Sequence, residues 1–140
     1  MTIPAIQPDS PAEDTRALVV DDEAIVCESC RRILMREGLV VDTCTDSSTG
    51  LRLAELGEYQ ILLLDVRMPG IDGVHFLRRL REVRPTMPVI VITGHASELS
   101  TRSLADLGVR ELVAKPFAPS EVSKALKRVL DGRSLGRVQE

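Results

Sequence analysis

Four positions along the chain carry the side chains that phosphate and metal chemistry needs. Asp21-Asp22 follows the apolar run ALVV, Asp65 follows ILLL, Thr93 follows VIVI, and Lys115-Pro116 follows ELVA. Three carboxylates, one hydroxyl and one ammonium brought to one place make a recognisable problem. Crowded carboxylates repel unless something neutralises them. A hard divalent cation such as Mg²⁺ solves this with few protein ligands and keeps positions open for phosphate oxygens. Lys115 adds a point charge that can reach a phosphoryl group, and Thr93 a hydroxyl donor. Each residue alone has an ordinary explanation: Asp21 or Asp22 as a helix cap, Asp65 as a turn residue, Thr93-Gly94 as a strand exit. The constellation matters only if the fold gathers them.

The apolar runs decide that. Ala17–Val20, Val40–Cys44, Ile61–Leu64, Val89–Ile92 and Glu111–Ala114 read as strands. ALVV, ILLL and VIVI are unbroken rather than alternating, the pattern of strands buried on both faces of a parallel sheet. Between them lie helical spacings. The first runs from about Glu23 to Glu37 and stops at Gly38, and the second follows Asp46 as N-cap and ends near Gly57. Asp72 is expected to cap the third, with Val74, Leu77 and Leu80 as its stripe before Pro85. Ser97–Leu107 is the fourth, and the last starts at Pro119 with Val122, Ala125, Leu126, Val129 and Leu130 on one face. Strands alternating with helices imply a parallel sheet covered on both sides by right-handed crossovers. Ligands of such sheets bind outside the carboxyl ends of the strands, where the four positions lie.

Composition narrows the function. The chain has 140 residues, 44% hydrophobic and 28% charged, enough for one core without staples. Aromatic residues are 2% (Tyr59, Phe76 and Phe117), which argues against stacking platforms for single-stranded nucleic acid. The formal charge of −3 gives no overall basic field for nucleic acid or anionic lipid. The longest apolar stretches, Ile61–Leu64 and Met87–Ile92, fall far short of the ~18 residues of a membrane span. The first fifteen residues hold three prolines and neither a basic start nor an apolar run, so they read as a disordered tail and not a secretory signal. The expectation is a soluble cytoplasmic domain over 16–131, with a C-terminal tail over 132–140.

Three cysteines are too few for a disulfide framework. Cys27 and Cys30 spell C-x-x-C, but Asp21, Asp22, Glu23 and Glu28 disfavour a thiolate there, so the thiols are expected to be structural. Arginines on the third helix (Arg78, Arg79, Arg81, Arg84) and the basic residues Lys124, Lys127 and Arg128 on the fifth read as solvated faces.

VVDDE (19–23), LLLDVRMPGIDG (62–73), VIVITGH (89–95) and VAKPF (113–117) together resemble the receiver domain of bacterial two-component response regulators, from about Arg16 to Leu130. The resemblance implies a flavodoxin-like, doubly wound five-stranded parallel sheet of order 2-1-3-4-5 with five helices. It implies that Asp65 is the phosphoacceptor, taking a phosphoryl group from a sensor histidine kinase or a phosphotransfer protein. Mg²⁺ would be held by Asp22, Asp65 and the backbone carbonyl of Arg67, with Asp21 acting mainly through water. Lys115 would pair with phosphoryl oxygens, the peptide before Pro116 would be cis, and Thr93 would report the phosphate to the face of the fourth helix, fifth strand and fifth helix. The implied output is a switched protein–protein surface, acting on a downstream protein or an effector domain outside this chain. A second copy, in a phosphorylation-dependent homodimer, is among the partners it admits. Direct nucleic-acid and membrane binding are not expected.

Two features depart from the family. Leu112 stands where an aromatic often turns inward with the Thr, so a Thr–aromatic switch cannot operate in its usual form. Arg67 and His95, each two residues beyond Asp65 and Thr93, are large and polar. His95 reads either as an exposed loop residue or as a general base, which requires reach to an attacking water. Other functions fit less well. A phosphohydrolase with an aspartyl-phosphate intermediate of the haloacid-dehalogenase kind wants a second Asp where Arg67 stands. A flavin or nucleotide module wants a phosphate cradle where Asp21-Asp22-Glu23 repels one. A degenerate receiver that only binds would have no need of Asp22, Asp65, Thr93 and Lys115.

Overall fold

The computed structural model describes residues 15–70, 72–95 and 101–139, with side chains through 131 apart from Thr101. The strands are β1 (Arg16–Val20), β2 (Val40–Cys44), β3 (Ile61–Leu64), β4 (Val89–Thr93) and β5 (Val109–Ala114). They form one parallel sheet of order β2-β1-β3-β4-β5, as expected. The helices are α1 (Ala24–Arg36), α2 (Ser47–Leu56), α3 (Gly73–Val83), α4 (Thr101–Asp106) and α5 (Pro119–Gln139).

Successive side chains of a strand point to opposite faces, and both faces here are apolar. Val19, Leu63, Ile90 and Val113 pack with Cys27, Ile33 and Leu34 of α1 and Val122, Leu126 and Val129 of α5. Val20, Leu62, Leu64 and Val91 pack with Leu51 of α2, Phe76, Leu77 and Leu80 of α3, and Leu104 of α4. A fully buried Leu contributes roughly 1.5–3 kcal/mol, so ILLL, buried throughout, anchors both layers.

Local chemistry closes the elements. The Asp46 carboxylate accepts the Thr49 N–H at 2.8 Å and caps α2. Gly38 takes φ +93° as α1 ends, and Leu39 donates back to the Leu34 carbonyl. Asp72 stands at the N-cap of α3, but its side chain makes no cap bond; its carbonyl accepts the Phe76 N–H instead. Phe76, rather than Val74, completes the buried stripe of α3.

Four other expectations shift. β5 starts at Val109, two residues before Glu111, across an irregularity in its pairing with β4. Thr15 already pairs, its carbonyl accepting the Val40 N–H, while the rest of the N-terminal tail lies outside the described residues, as do residues 96–100 of the fourth helical segment. α5 continues to Gln139 through the stretch read as a tail, where no proline interrupts it. Two arginines of α3 are not a solvated face. Arg81 donates to the carbonyls of Leu107, Gly108, Arg84 and Met87, and Arg84 to those of Ala54, Gly57 and Tyr59. They supply donors to loop carbonyls at the sheet edge opposite the site.

Gly73 opens α3 against the strand exit that carries Asp65. A Cβ there would lie 2.5 Å from the Val66 Cα and 2.6 Å from its carbonyl oxygen. Gly→Ala inside a helix ordinarily stabilises. Here overpacking reverses the sign, and Gly73→Ala is expected to cost about 1–3 kcal/mol in urea denaturation. Gly94→Ala, whose Cβ would meet only the Lys115 Cβ at 3.9 Å, serves as the tolerated comparison.

Candidate functional site

The ladder continues past the strands and fixes the rim. Asp21 donates its N–H to the Cys44 carbonyl at 3.1 Å, Asp65 to Val20 at 3.0 Å, and Lys115 to Thr93 at 2.8 Å. Each rim side chain then holds its own loop two residues on. Asp21 Oδ1 accepts the Glu23 N–H at 2.9 Å, Asp65 Oδ1 the Arg67 N–H at 2.9 Å, and Thr93 Oγ1 the His95 N–H at 3.2 Å. An accepting hydroxyl keeps its hydrogen to donate elsewhere.

The remaining oxygens converge on Lys115. Its Nζ lies 2.9 Å from Asp21 Oδ2, 2.9 Å from Asp65 Oδ2 and 2.7 Å from Glu23 Oε1. Asp22 is exposed beside this group. Asp22, Glu23, Asp65, Arg67, Gly94, His95 and Lys115 line one open cleft. Thus Asp21, Asp22, Asp65, Thr93, Lys115 and Arg67 all meet at one rim, and exposed His95 joins them. The peptide between Lys115 and Pro116 is cis. Glu23 escaped sequence reasoning; its position directly after the aspartate pair was the available clue. Leu112 is half-buried against the cluster that holds Val91 and Leu104.

Electrostatics divides the carboxylates. Burial pushes Asp21 above its ordinary 3.8, although the Glu23 N–H and Lys115 oppose it. Exposed Glu23 moves the other way, its carboxylate held below the ordinary 4.5 by the hydrogen bond from Lys115. Burial alone would lower Lys115, but its bonds to Glu23, Asp21 and Asp65 outweigh that and hold the ammonium well above its ordinary range. Burial raises the Cys27 thiol to about 11 and Cys30 to about 12, which disfavours a thiolate at either, and Cys27 donates to the Asp21 carbonyl.

The residues suit a hard cation. Asp21, Asp22 and Asp65 each offer an oxygen, all within 4.8 Å of one another. One ammonium cannot neutralise four carboxylates, and Asp21 is buried without full compensation. Oxygen-only donors beside an open cleft match a divalent ion that keeps its waters.

A doubly wound sheet with an acidic rim around one aspartate and one lysine defines a class, and comparison names it. Residues 17–127 match the model of the response regulator receiver domain, and the chain belongs to that family. It is 33% identical over 117 residues to the transcriptional regulatory protein ResD of Bacillus subtilis, covering 84% of this chain and 48% of that protein. It is 31% identical to PhoP of the same organism, an alkaline phosphatase synthesis transcriptional regulatory protein, over 82% of this chain and 48% of that one. The chain thus spans about half the length of these curated relatives. Among solved structures, a CheY-like receiver domain from Methanospirillum hungatei superposes with TM-score 0.79 at 28% identity, covering 86% of this chain and 96% of that one. The response regulator TrrA of Thermotoga maritima, solved with Mg²⁺-BeF, gives 0.74 at 30% identity, covering 82% and 98%. Among the described residues no helix is long and apolar enough to cross a membrane.

A raised folded-state pKa means the native protein holds the Asp21 proton more tightly than the unfolded chain. Asp21 therefore supports stability fully below 3.8 and loses that support as pH climbs through the window just above it. Without divalent cations, the Tm of Asp21→Asn minus that of wild type is expected to grow as pH rises through that window. A difference that shrinks would overturn burial as the dominant influence.

Proposed function

We propose that this receiver takes a phosphoryl group onto Asp65 from a sensor histidine kinase or phosphotransfer protein, with Mg²⁺, and thereby switches a protein-binding surface. The carrying observation is the Asp65 carboxylate, 5% exposed, held between the Arg67 N–H and the Lys115 ammonium at the floor of an open cleft. Two fixed contacts orient the nucleophile before any donor arrives, so little ordering remains for the reaction itself. A carboxylate oxygen of Asp65 attacks the phosphorus of a phosphohistidine. The O–P bond forms as the P–N bond breaks, and the imidazole nitrogen leaves with the electron pair. Lys115 donates to a phosphoryl oxygen and the Thr93 hydroxyl to another, placing fixed donors where charge develops. Water attack on the aspartyl phosphate later restores the carboxylate and releases inorganic phosphate.

Asp22, Asp65 and the Arg67 carbonyl would hold the cation, with Asp21 reaching it through water. Bound there, Mg²⁺ neutralises carboxylates and polarises phosphoryl oxygens. The output rests with a downstream protein or an effector domain. The named relatives are transcriptional regulators, and this chain matches 48% of the length of each. No nucleic-acid contact is assigned to the receiver itself, and a phosphorylation-dependent homodimer is compatible with this role.

With a small phosphodonor and Mg²⁺, intact mass is expected to rise by one phosphoryl group in wild type and not in Asp65→Asn, and chelation is expected to abolish the gain. Labelling that persists in Asp65→Asn would falsify the assignment. Because Mg²⁺ relieves repulsion present only in the folded state, it is expected to raise Tm. Asp22→Ala should lose most of that rise, and an undiminished rise would move the cation elsewhere.

A further inference from the structure

We propose that Glu23 is a positioning residue that occupies the Lys115 ammonium until a phosphoryl oxygen replaces it. The inference rests on Asp65 being the phosphoacceptor. An ammonium has three N–H donors and no more. Those of Lys115 face three carboxylates: Asp21 and Asp65 at 2.9 Å each and Glu23 at 2.7 Å. A phosphoryl group arriving on Asp65 needs one of these donors, so one carboxylate must let go.

The three differ in what release would cost. Asp65 carries the incoming group and stays. Asp21 has a side chain 3% exposed, and its second oxygen is tied to the Glu23 N–H. Removing its ammonium would strand a buried charge. The Glu23 side chain is 55% exposed, so water takes over from the ammonium at little cost. Its backbone is pinned by Asp21 Oδ1, which leaves the side chain to swing while the loop stays put.

Charge points the same way. Glu23 lines the cleft with Asp22, Asp65 and Arg67, so its carboxylate faces any anion entering. In the free state it takes up the third donor of Lys115 at 2.7 Å. Against a phosphoryl group it is the repelled partner. Glu23 therefore occupies the donor that the phosphoryl group needs and sets a threshold for the anion that takes over.

The test compares full-length Glu23→Gln with wild type and with Glu28→Gln. Glu28 lies on α1, just beyond the N-cap position that Glu23 holds, and pairs with Arg31 and Arg32 instead of Lys115, so it makes the same charge change without the contact. With Mg²⁺ present, two quantities are read: the rate of Asp65 labelling by acetyl phosphate, and the affinity for beryllofluoride. Removing one unit charge about 4 Å from the incoming anion is expected to raise both about fivefold in Glu23→Gln. The gain should shrink as salt rises, because the cleft is open to screening. Urea midpoints should stay close to wild type, as Glu23 is exposed. Unchanged or weaker labelling and affinity in Glu23→Gln would overturn the proposal, as would an equal gain in Glu28→Gln. Failure of wild type to label at Asp65 is a separate result, and it overturns the underlying assignment together with the proposal.

Discussion

One ammonium ion organises this molecule's functional edge. Lys115 reaches the carboxylates of Asp21, Glu23 and Asp65 at 2.7–2.9 Å, from a strand end on the far side of β4. Without it the acidic rim would be self-repelling, with Asp21 and Asp65 almost wholly buried. With it the rim remains under-neutralised: burial still lifts Asp21, while the lysine is held strongly protonated. That imbalance is useful. A site fully satisfied by its own side chains would have no reason to take up a cation, and a phosphoryl group would have to displace settled partners. A site one cation short stays folded yet receptive.

Such an arrangement needs a rigid frame, and the parallel sheet supplies it at the backbone level. Asp21, Asp65 and Lys115 each donate an N–H to the neighbouring strand, so the rim is a continuation of the ladder rather than a loose loop. Behind Asp65 stand Leu62, Leu63 and Leu64, with no exposed surface between them. The Asp65 backbone cannot move without disturbing both core layers. Asp21, Asp65 and Thr93 repeat one device, a side-chain oxygen that accepts the N–H two residues later. Each residue stiffens its own loop with one oxygen, and each aspartate keeps its other oxygen for the cleft.

The sheet was legible because unbroken aliphatic runs of four residues between helical spacings are the mark of strands buried on both faces of a parallel sheet. Strand order came with the family resemblance, whereas the positions of Asp21, Asp65, Thr93 and Lys115 followed from asking what ends each run. Glu23 was hardly legible, because its place after the aspartate pair, the one clue, suits a solvated helix start as well as a carboxylate bound to a lysine 92 positions away. Arg81 and Arg84 misled for a related reason: long cations look alike on a helical wheel, whether they meet water or the loop carbonyls of Gly57, Tyr59 and Leu107. Asp72 looked like a side-chain cap and caps only through its carbonyl. Patterns report burial well. They report poorly on which polar atoms meet across the sheet.

The same register shows how the rim can speak to the rest of the molecule. Thr93 pairs with Ala114 and Val91 with Leu112, so Leu112 lies on the face of β5 that looks the same way as Thr93. Leu104 of α4 belongs to the same cluster. An aromatic with a hydroxyl tip would need a partner in each of two positions, inward and outward. Leu112 needs none, because burying an aliphatic side chain leaves no polar atom unpaired. It can pack inward permanently and still support β5. Movement at Thr93 would then pass chiefly along its own loop, since the Thr93 hydroxyl already accepts the His95 N–H and its carbonyl the Lys115 N–H. Thr93 and the peptide that carries Lys115 are thus joined by one backbone hydrogen bond, and a signal proposed to start at Thr93 needs no aromatic relay between them.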